Sequence, residues 1–416
     1  MDAIRRTTDC CIVGGGPAGI MLGLLLAKAG VDVVLLEKHN DFFRDFRGDT
    51  IHPSTLDLID QLGLRYQFDA IPHASFKSLD IVLNGTRIRP VDLRHLRGRN
   101  RTIDLMPQWD FLDLLADEAK KLPGFHLVMG AEVTGLLWDA GTVTGVTATT
   151  SEGALEVAAS LTVAADGRTS VVREAAGLHV KDFGIAIDVL WFRLPMPATV
   201  PPSTLGYLGG ESMLVTIPRV DYYQTAMLIP KGTFEDVRLA GLPAFRESIV
   251  RSASFLEPVV ATLDDWNNVK LLSVQVNRLA RWHLPGLLCI GDAAHAMSPA
   301  FGVGINYAIQ DAVATANLLA EPLRAGAVTE RQLAAVQRRR LWPVRLMQPI
   351  QLTLHRFIAK PGGAASIPNP LPTRTRVLLM FLLPIVRRLG ARIVGRGFLP
   401  ERIRPEILLN TDTANL

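Results

Sequence analysis

Cysteine is scarce in this sequence, and the few cysteines lie in apolar, strand-like runs. Only three occur in 416 residues, Cys10, Cys11 and Cys289. Their number and placement argue against a disulfide framework or a metal cluster and suit a reduced, cytosolic protein. We therefore predict no metal site and expect the protein in the cytoplasm.

Long apolar runs and a strong charge of one sign are also lacking. No stretch of about 18 uninterrupted apolar residues occurs, so we expect no transmembrane helix. The net charge is +4 over 416 residues, which gives no support to nucleic-acid binding. The hydrophobic fraction is 48%, against 20% charged residues. This composition is enough for a large core in two connected domains, or in one large domain with additions.

The segment from Asp9 to Lys38 carries the first functional pattern. A short apolar strand leads into Gly14, Gly16 and Gly19, and a helix and a second apolar strand follow. In such a G-x-G-x-x-G turn the first glycine permits the tight turn and the second lets a pyrophosphate approach the backbone. The third lets the helix pack on the strand. The free N–H groups and the positive dipole at the start of the helix attract that phosphate.

Glu37 completes this pattern. It stands 18 residues beyond Gly19, at the end of the second strand, where its carboxylate can accept hydrogen bonds from an adenosine ribose. Strand, glycines, helix, strand and acid in this order predict a bound dinucleotide. An ordinary glycine-rich βαβ turn is the alternative interpretation.

The remainder of the chain changes pattern twice. Short apolar strands recur along the first part of the chain. The last two of them are predicted at Leu155–Val157 and at Leu161–Ala165. Over residues 184–279 longer alternating strands, interrupted by prolines and by one predicted helix at Pro243–Phe255, indicate a mostly antiparallel sheet. After a last buried strand at Leu287–Ile290 the chain becomes helical.

Three separated motifs resemble those of the single-component FAD-dependent aromatic monooxygenases of the para-hydroxybenzoate hydroxylase type, over roughly residues 8 to 325. The first is the glycine pattern with Glu37. The others are Ala165-Asp166-Gly167-Arg168-x-Ser170-x-x-Arg173 and Gly291-Asp292-Ala293-Ala294-His295, the latter continuing to Pro299 and Gly302-x-Gly304-x-Asn306.

The resemblance implies an α/β fold class: a dinucleotide-binding, glutathione-reductase-like FAD domain with an inserted, mostly antiparallel substrate sheet and a helical C-terminus. The expected FAD-binding domain is discontinuous. It comprises residues 1–75, 103–180 and 280–350, with residues 76–102 and 181–279 as substrate domain and 351–416 as the helical C-terminal region.

The resemblance also implies where FAD binds. Asp292 follows a buried strand, where its carboxylate can bind a ribityl hydroxyl, as the matching aspartate does in the family. The helix beginning near Gly302 would point its amides at the flavin pyrimidine carbonyl and stabilise negative charge on the reduced ring. The expected cofactor-binding residues are Gly14, Gly16, Pro17, Ala18, Gly19, Glu37, Lys38, Arg47, Gln108, Asp166, Gly167, Asp292, Pro299, Gly302, Gly304, Ile305 and Asn306.

Four polar residues in or near these motifs allow two interpretations. His52 and His295 are candidate catalytic residues, although a packing and hydrogen-bonding role is the favoured interpretation of both. Arg168 and Arg173 either contribute to the cofactor site or form structural salt bridges.

The implied reaction takes place on the cofactor. In this family NADPH or NADH docks transiently and reduces FAD, O2 adds at C4a, and the resulting hydroperoxide hydroxylates an electron-rich ring. The expected partners are a small aromatic or quinol-like, lipophilic substrate and O2. Two alternatives stay open: a flavin halogenase, although no Trp-x-Trp-x-Ile-Pro motif occurs, and a FAD-bearing sensor or binding module without turnover.

We expect residues 184–279 to determine the substrate. They supply an apolar, aromatic set that either lines a pocket or forms core: Trp191, Phe192, Tyr207, Met213, Tyr222, Tyr223 and Met227. An oily polycyclic, polyketide-like or quinol-like phenol is the expected substrate class.

The C-terminal region is strongly basic. Between Thr373 and Pro405 the sequence has eight arginines and one acid, Glu401, around an apolar run at residues 377–386. This run is too short to span a bilayer. Packing over the substrate domain or a second subunit, as in a homodimer, is the favoured interpretation. A helix lying in the interface of an anionic membrane is the alternative.

Overall fold

The chain folds into two main sheets with a helical C-terminal part, in a computed structural model that describes residues 3–43, 50–83, 86–199, 206–209, 212–219, 221–358 and 373–409. This architecture confirms the predicted fold class. The predicted division into domains stays a prediction. Arg47 and the segment 359–372 lie outside the described residues.

An eight-stranded sheet forms the first layer. Its parallel strands are β1 (Ile4–Val13), β2 (Val33–Glu37), β8 (Phe125–Met129), β11 (Gly153–Ala164) and β20 (Leu287–Cys289). They stand in the order β20-β11-β1-β2-β8, so their carboxyl ends share one edge of the sheet. Antiparallel strands are added by β19 (His283–Leu284) on β20 and by β9 (Glu132–Asp139) and β10 (Thr142–Thr150) beside β11.

The strand β11 corrects one prediction. The sequence predicts separate strands at Leu155–Val157 and Leu161–Ala165, but one continuous strand contains nearly all of both. Its first half pairs with β10 and its second half with β20, while β1 runs alongside it. Because no glycine or proline separates the two apolar segments, the extended backbone continues between them.

Helices pack against this sheet and against one another. They are α1 (Pro17–Lys28), α2 (Pro53–Gln61), α3 (Arg65–Ala70), α4 (Gln108–Ala119), α5 (Val171–Ala175), α7 (Gly304–Arg324) and α8 (Glu330–Ile358). The helix α1 is apolar nearly all round and is buried from Ala18 to Ala27, as expected for a helix enclosed within a core. It contacts α4 and α7 as well as the sheet.

The second layer is a seven-stranded, mostly antiparallel sheet. In spatial order it contains β17 (Lys270–Leu272), β13 (Ile187–Pro195), β16 (Tyr222–Pro230), β15 (Ser212–Pro218), β14 (Gly206–Gly209), β5 (Ser78–Leu83) and β6 (Thr86–Asp92). The strands β14 and β5 pair in parallel, and the other neighbours are antiparallel.

The helix α6 (Phe234–Ser252) covers one face of this second sheet and forms a core with it, in which the rings of Phe192 and Phe245 lie 5.5 Å apart. The predicted helix at Pro243–Phe255 has the wrong bounds. The observed helix starts earlier, at Phe234, because the part before Gly241 is helical too. A kink at Gly241, with φ of 87°, separates this part from the part that contains Pro243.

Two small sheets and the C-terminal helices complete the fold. The small sheets are β3-β7-β4, from Thr50–Ile51, Ile103–Leu105 and Ala74–Phe76, and β12-β18, from Val180–Asp182 and Asn277–Leu279. The C-terminal part contains α9 (Thr373–Gly390), a π-helix (Ala391–Arg396) and α10 (Pro405–Leu409). Among the described helices, none is long and apolar enough to cross a membrane.

Candidate functional site

The three sequence motifs meet at the carboxyl edge of the parallel sheet. Ala165 N donates to Val13 O at 2.8 Å, and Ile290 N donates to Ala164 O at 2.9 Å. The ends of β1, β11 and β20 are thereby held side by side. Gly14 has a φ of +104°, and a Cβ added there would lie 2.5 Å from Ala165 O. Only glycine fits this turn.

The start of α1 has the open backbone that a phosphate requires. A Cβ added at Gly16 would meet nothing within 4 Å, whereas one added at Gly19 would collide with the Gly14 carbonyl oxygen. Gly19 therefore serves packing and Gly16 leaves the backbone accessible. Pro17 occupies the first turn of the helix, whose N–H groups have no partner within the helix.

Glu37 lies beside this turn with its carboxylate fixed. Its Oε2 accepts from Gly15 N at 2.8 Å and its Oε1 accepts from His39 N at 3.0 Å. The side chain is buried at the end of β2, and the neighbouring Lys38 is exposed. The carboxylate and the open start of α1 thus fit the ribose and pyrophosphate ends of a dinucleotide.

Asp292 lies at the end of β20, next to the same helix. A Cβ added at the preceding Gly291 would stand 3.2 Å from Ala18 Cβ, which shows how closely this turn approaches α1. The Asp292 carboxylate accepts from Arg168 Nε at 3.0 Å, and about a third of each side chain is exposed. Arg168 therefore forms a salt bridge with the aspartate, whose side chain stays partly exposed.

The second motif is joined to the third by hydrogen bonds from the Arg173 side chain to main-chain carbonyl groups. Arg173 donates to Ala293 O at 3.0 Å and to Arg168 O at 2.7 Å, so it holds two loops together. Asp166 Oδ2 accepts from Val172 N at 3.2 Å. Burial raises the pKa of Asp166. The adjacent Gly167 has a φ of +86°.

The segment before α7 contains a sharp left-handed turn. Phe301 and Gly302 have φ values of 65° and 62°. A Cβ on Gly302 would collide with the side chain of Thr50, whose Oγ1 donates to Gly302 O at 2.7 Å. Gly302 is thus required for this turn and for the approach of Thr50. A Cβ at Gly304 would meet only Met297 Cβ, at 3.9 Å, so its surroundings are open.

Asn306 uses both ends of its amide inside the protein. Its Oδ1 accepts from His52 N at 2.9 Å and from Thr55 Oγ1 at 2.7 Å. Its Nδ2 donates to Thr50 O at 3.0 Å and to Gly302 O at 3.2 Å. The side chain therefore ties α2 to the turn before α7, while its neighbour Ile305 is buried.

The two candidate histidines are buried in hydrogen-bonded positions. His295 Nε2 lies 2.6 Å from Asp311 Oδ2, and Asp311 Oδ1 accepts from Arg340 Nε at 2.8 Å. Burial alone would raise the pKa of Asp311, but His295 and Arg340 together hold this pKa below its usual value. His52 Nδ1 lies 2.6 Å from Val394 O, and burial lowers its pKa to about 4. Both histidines thus have hydrogen-bond partners within the protein, and their role in catalysis or packing stays a prediction.

The aromatic set of the second sheet divides between its two faces. Phe192, Tyr207, Tyr223 and Met227 belong to the core under α6. Trp191 points to the opposite face, where a cluster includes it with Val215, Ile217 and Phe301. This second face therefore meets the turn before α7, which the family resemblance implies lies beside the flavin.

Sequence reasoning missed three polar residues on α8 that contact this region. Gln348, Gln351 and His355 are all buried and bind the segment Ala296–Ala300. The sequence does contain a signal for them, because residues spaced three and four apart lie on the same side of a helix. Gln108, at the start of α4, is half-buried.

Comparisons with known proteins show which family the chain resembles. The family described as "FAD binding domain" matches residues 7–349. The 6-methylpretetramide 4-monooxygenase of Streptomyces rimosus is 32% identical over 414 residues, which cover 98% of this chain and 97% of that protein.

Two solved structures have a similar fold. The anhydrotetracycline hydroxylase OxyS from Streptomyces rimosus has a TM-score of 0.70 at 24% identity, covering 94% of this chain and 76% of that one. The myxobacterial chondrochloren halogenase CndH has a TM-score of 0.75 at 18% identity, covering 98% and 97%.

Proposed function

The chain belongs to the FAD-binding monooxygenase family and is a FAD-dependent aromatic monooxygenase, and we propose that it hydroxylates a polycyclic, polyketide-like or quinol-like phenol with NADPH or NADH as reductant. The observation that carries this proposal is the similarity of the chain, over nearly its whole length, to the 6-methylpretetramide 4-monooxygenase of Streptomyces rimosus.

The second sheet supports an apolar ring as substrate. Its face with Trp191, Val215 and Ile217 meets Phe301 in the turn before α7. Apolar walls with few fixed charges suit an oily, flat ring and exclude water from the reacting atoms.

Residues of the chain hold and orient the cofactor in this proposal. The start of α1 would bind the pyrophosphate, Glu37 the adenosine ribose and Asp292 a ribityl hydroxyl. The amides at the start of α7 would stabilise negative charge on the flavin. When bound, FAD supplies the redox chemistry, accepting a hydride from NAD(P)H and activating O2.

The direct test is NAD(P)H oxidation by the FAD-loaded protein across a panel of polycyclic phenols and quinols. We expect at least one compound to stimulate oxidation and to appear as a product one oxygen atom heavier. Flavin binding without stimulation by any member of a broad panel would favour a module without turnover. A chlorinated or brominated product that requires added halide would favour the halogenase alternative. The halogenase CndH has a fold similar to that of this chain.

A further inference from the structure

One face of α8 binds the segment that precedes the turn at Phe301. Gln348, Gln351 and His355 lie three and four residues apart, so they project from the same side of the helix. At most 2% of each is exposed. A buried amide or imidazole has to find hydrogen-bond partners in the protein. All three side chains find a partner in Ala296–Ala300, and Gln348 also binds Asn277 O and the Arg278 side chain, each at 2.8 Å.

Gln351 makes three of these hydrogen bonds. Its Oε1 accepts from Ser298 N at 3.2 Å. Its Nε2 donates to Ser298 O at 3.1 Å and to Ala300 O at 3.1 Å. One side chain thereby fixes the peptide groups on both sides of Pro299.

Gln348 holds the segment before that contact, at Ala296, and His355 holds Ser298 through its hydroxyl. Gln348 Nε2 donates to Ala296 O at 3.2 Å. His355 Nε2 lies 2.7 Å from Ser298 Oγ, which also accepts from Ala300 N at 3.0 Å. Burial lowers the pKa of His355 to about 4, so the imidazole is neutral near pH 7.

We propose that Gln351, with Gln348 and His355, is a positioning residue that sets the distance between the Pro299–Gly304 backbone and the flavin ring. The proposal rests on the function given above. The held segment leads directly into the left-handed Phe301 and Gly302 and then into the start of α7. A displacement of about 1 Å in such a segment is enough to misplace reacting groups.

The test compares Gln351→Leu with Gln337→Leu in the FAD-loaded protein. Gln337 lies on the same helix and makes an equivalent clamp elsewhere: its Oε1 accepts from Trp282 N at 3.0 Å and its Nε2 donates to Ala280 O at 2.8 Å. Both variants lose side-chain hydrogen bonds to main-chain groups, so both are expected to lower the melting temperature. Ser298→Ala, which removes only the hydroxyl, serves if Gln351→Leu does not fold.

We expect Gln351→Leu and Ser298→Ala to shift the visible absorption bands and the midpoint potential of bound FAD, and Gln337→Leu to leave both unchanged. With an identified substrate, the share of NAD(P)H electrons released as H2O2 should rise severalfold in the first two variants. A wild-type flavin spectrum and potential in both, at a melting temperature lowered as in Gln337→Leu, would overturn the proposal. The spectral readout needs no substrate, so this result is separable from failure of the proposed substrate class.

Discussion

At the scale of single residues, Gly16 and Gly19 have different physical reasons to be glycine. The missing side chain of Gly16 leaves open space in front of the backbone, whereas that of Gly19 allows contact with Gly14. The position in the motif predicts an approach role for Gly16 and a packing role for Gly19, and the structure adds the distances behind each role.

This difference predicts opposite effects of alanine. Gly16→Ala should leave the melting temperature of the FAD-free protein unchanged and weaken FAD binding, because the new methyl group occupies the space of the phosphate. Gly19→Ala should destabilise the FAD-free protein by about 1–3 kcal/mol through overpacking. Thermal unfolding without FAD and fluorescence titration with FAD check the pair. Equal loss of stability in both variants would contradict the assignment.

Asp292 gives a second residue-scale prediction. Asp292→Ala should weaken FAD binding by roughly 1–3 kcal/mol, or about 5- to 150-fold, because a ribityl hydroxyl loses its acceptor and Arg168 loses its partner. The control is Asp139→Ala, which removes an exposed carboxylate at the end of β9 and should leave FAD affinity unchanged. Titration of both with FAD decides the matter, and wild-type affinity in Asp292→Ala would reject the role.

His52 predicts a pH dependence of stability. Its pKa is lowered from 6.5 to about 4 in the folded protein, so between these values the unfolded chain binds more protons and stability falls as the pH falls. This residue should make the free energy of unfolding roughly 2 kcal/mol lower at pH 5 than at pH 7.5. Denaturant unfolding of wild type and His52→Gln at both pH values measures it. An identical pH slope in the two proteins would show that His52 does not contribute.

At the scale of elements, local patterns were predicted well and distant contacts were not. The βαβ unit of residues 9–38 follows from glycine spacing and apolar periodicity within 30 residues. The contact of Thr50 with Gly302 joins residues 252 apart, and that of Gln351 with Ser298 joins residues 53 apart. No spacing rule records such pairs. The continuity of β11 was missed because a strand that changes partners along its length looks like two strands in the sequence.

The helix α9 has one face packed on the protein and another exposed to solvent. These two faces bear on the two interpretations of the C-terminal region, which are packing and membrane contact. One face packs on β6, where Arg387 Nε donates to Arg89 O at 3.1 Å. Its other side exposes apolar residues, including Phe381 at 76% and Ile385 at 64%. Residues 331–400 contain no aspartate or glutamate, so an anionic surface is the electrostatically matched partner.

Membrane contact through α9 stays a prediction. Full-length protein should float with anionic liposomes at low salt, and a Phe381→Ser/Ile385→Ser variant should not. Leu239→Ser, which changes an 85% exposed leucine on α6, should float like the wild type. Absence of flotation in all three proteins would contradict the prediction. A loss of dimer in the α9 variant alone would instead identify a second copy as the partner.

At the scale of the whole molecule, the two sheets have separate tasks. The parallel layer brings three motifs from residues 14–19, 165–173 and 291–306 to one edge, where they fit FAD. The antiparallel layer presents Trp191 and its apolar neighbours to the turn before α7. In the proposed reaction both layers are required, because the parallel layer would hold the cofactor and the second sheet would position the ring to be hydroxylated.

The most direct measurement of this account is the origin of the new oxygen atom in the product. FAD-loaded protein is supplied with NAD(P)H, a stimulating phenol and ¹⁸O-labelled O2, and the product is analysed by mass spectrometry. We expect one labelled oxygen atom per product molecule and none from labelled water. Label from water, or a product without added oxygen, would contradict the assignment of a flavin-dependent hydroxylase.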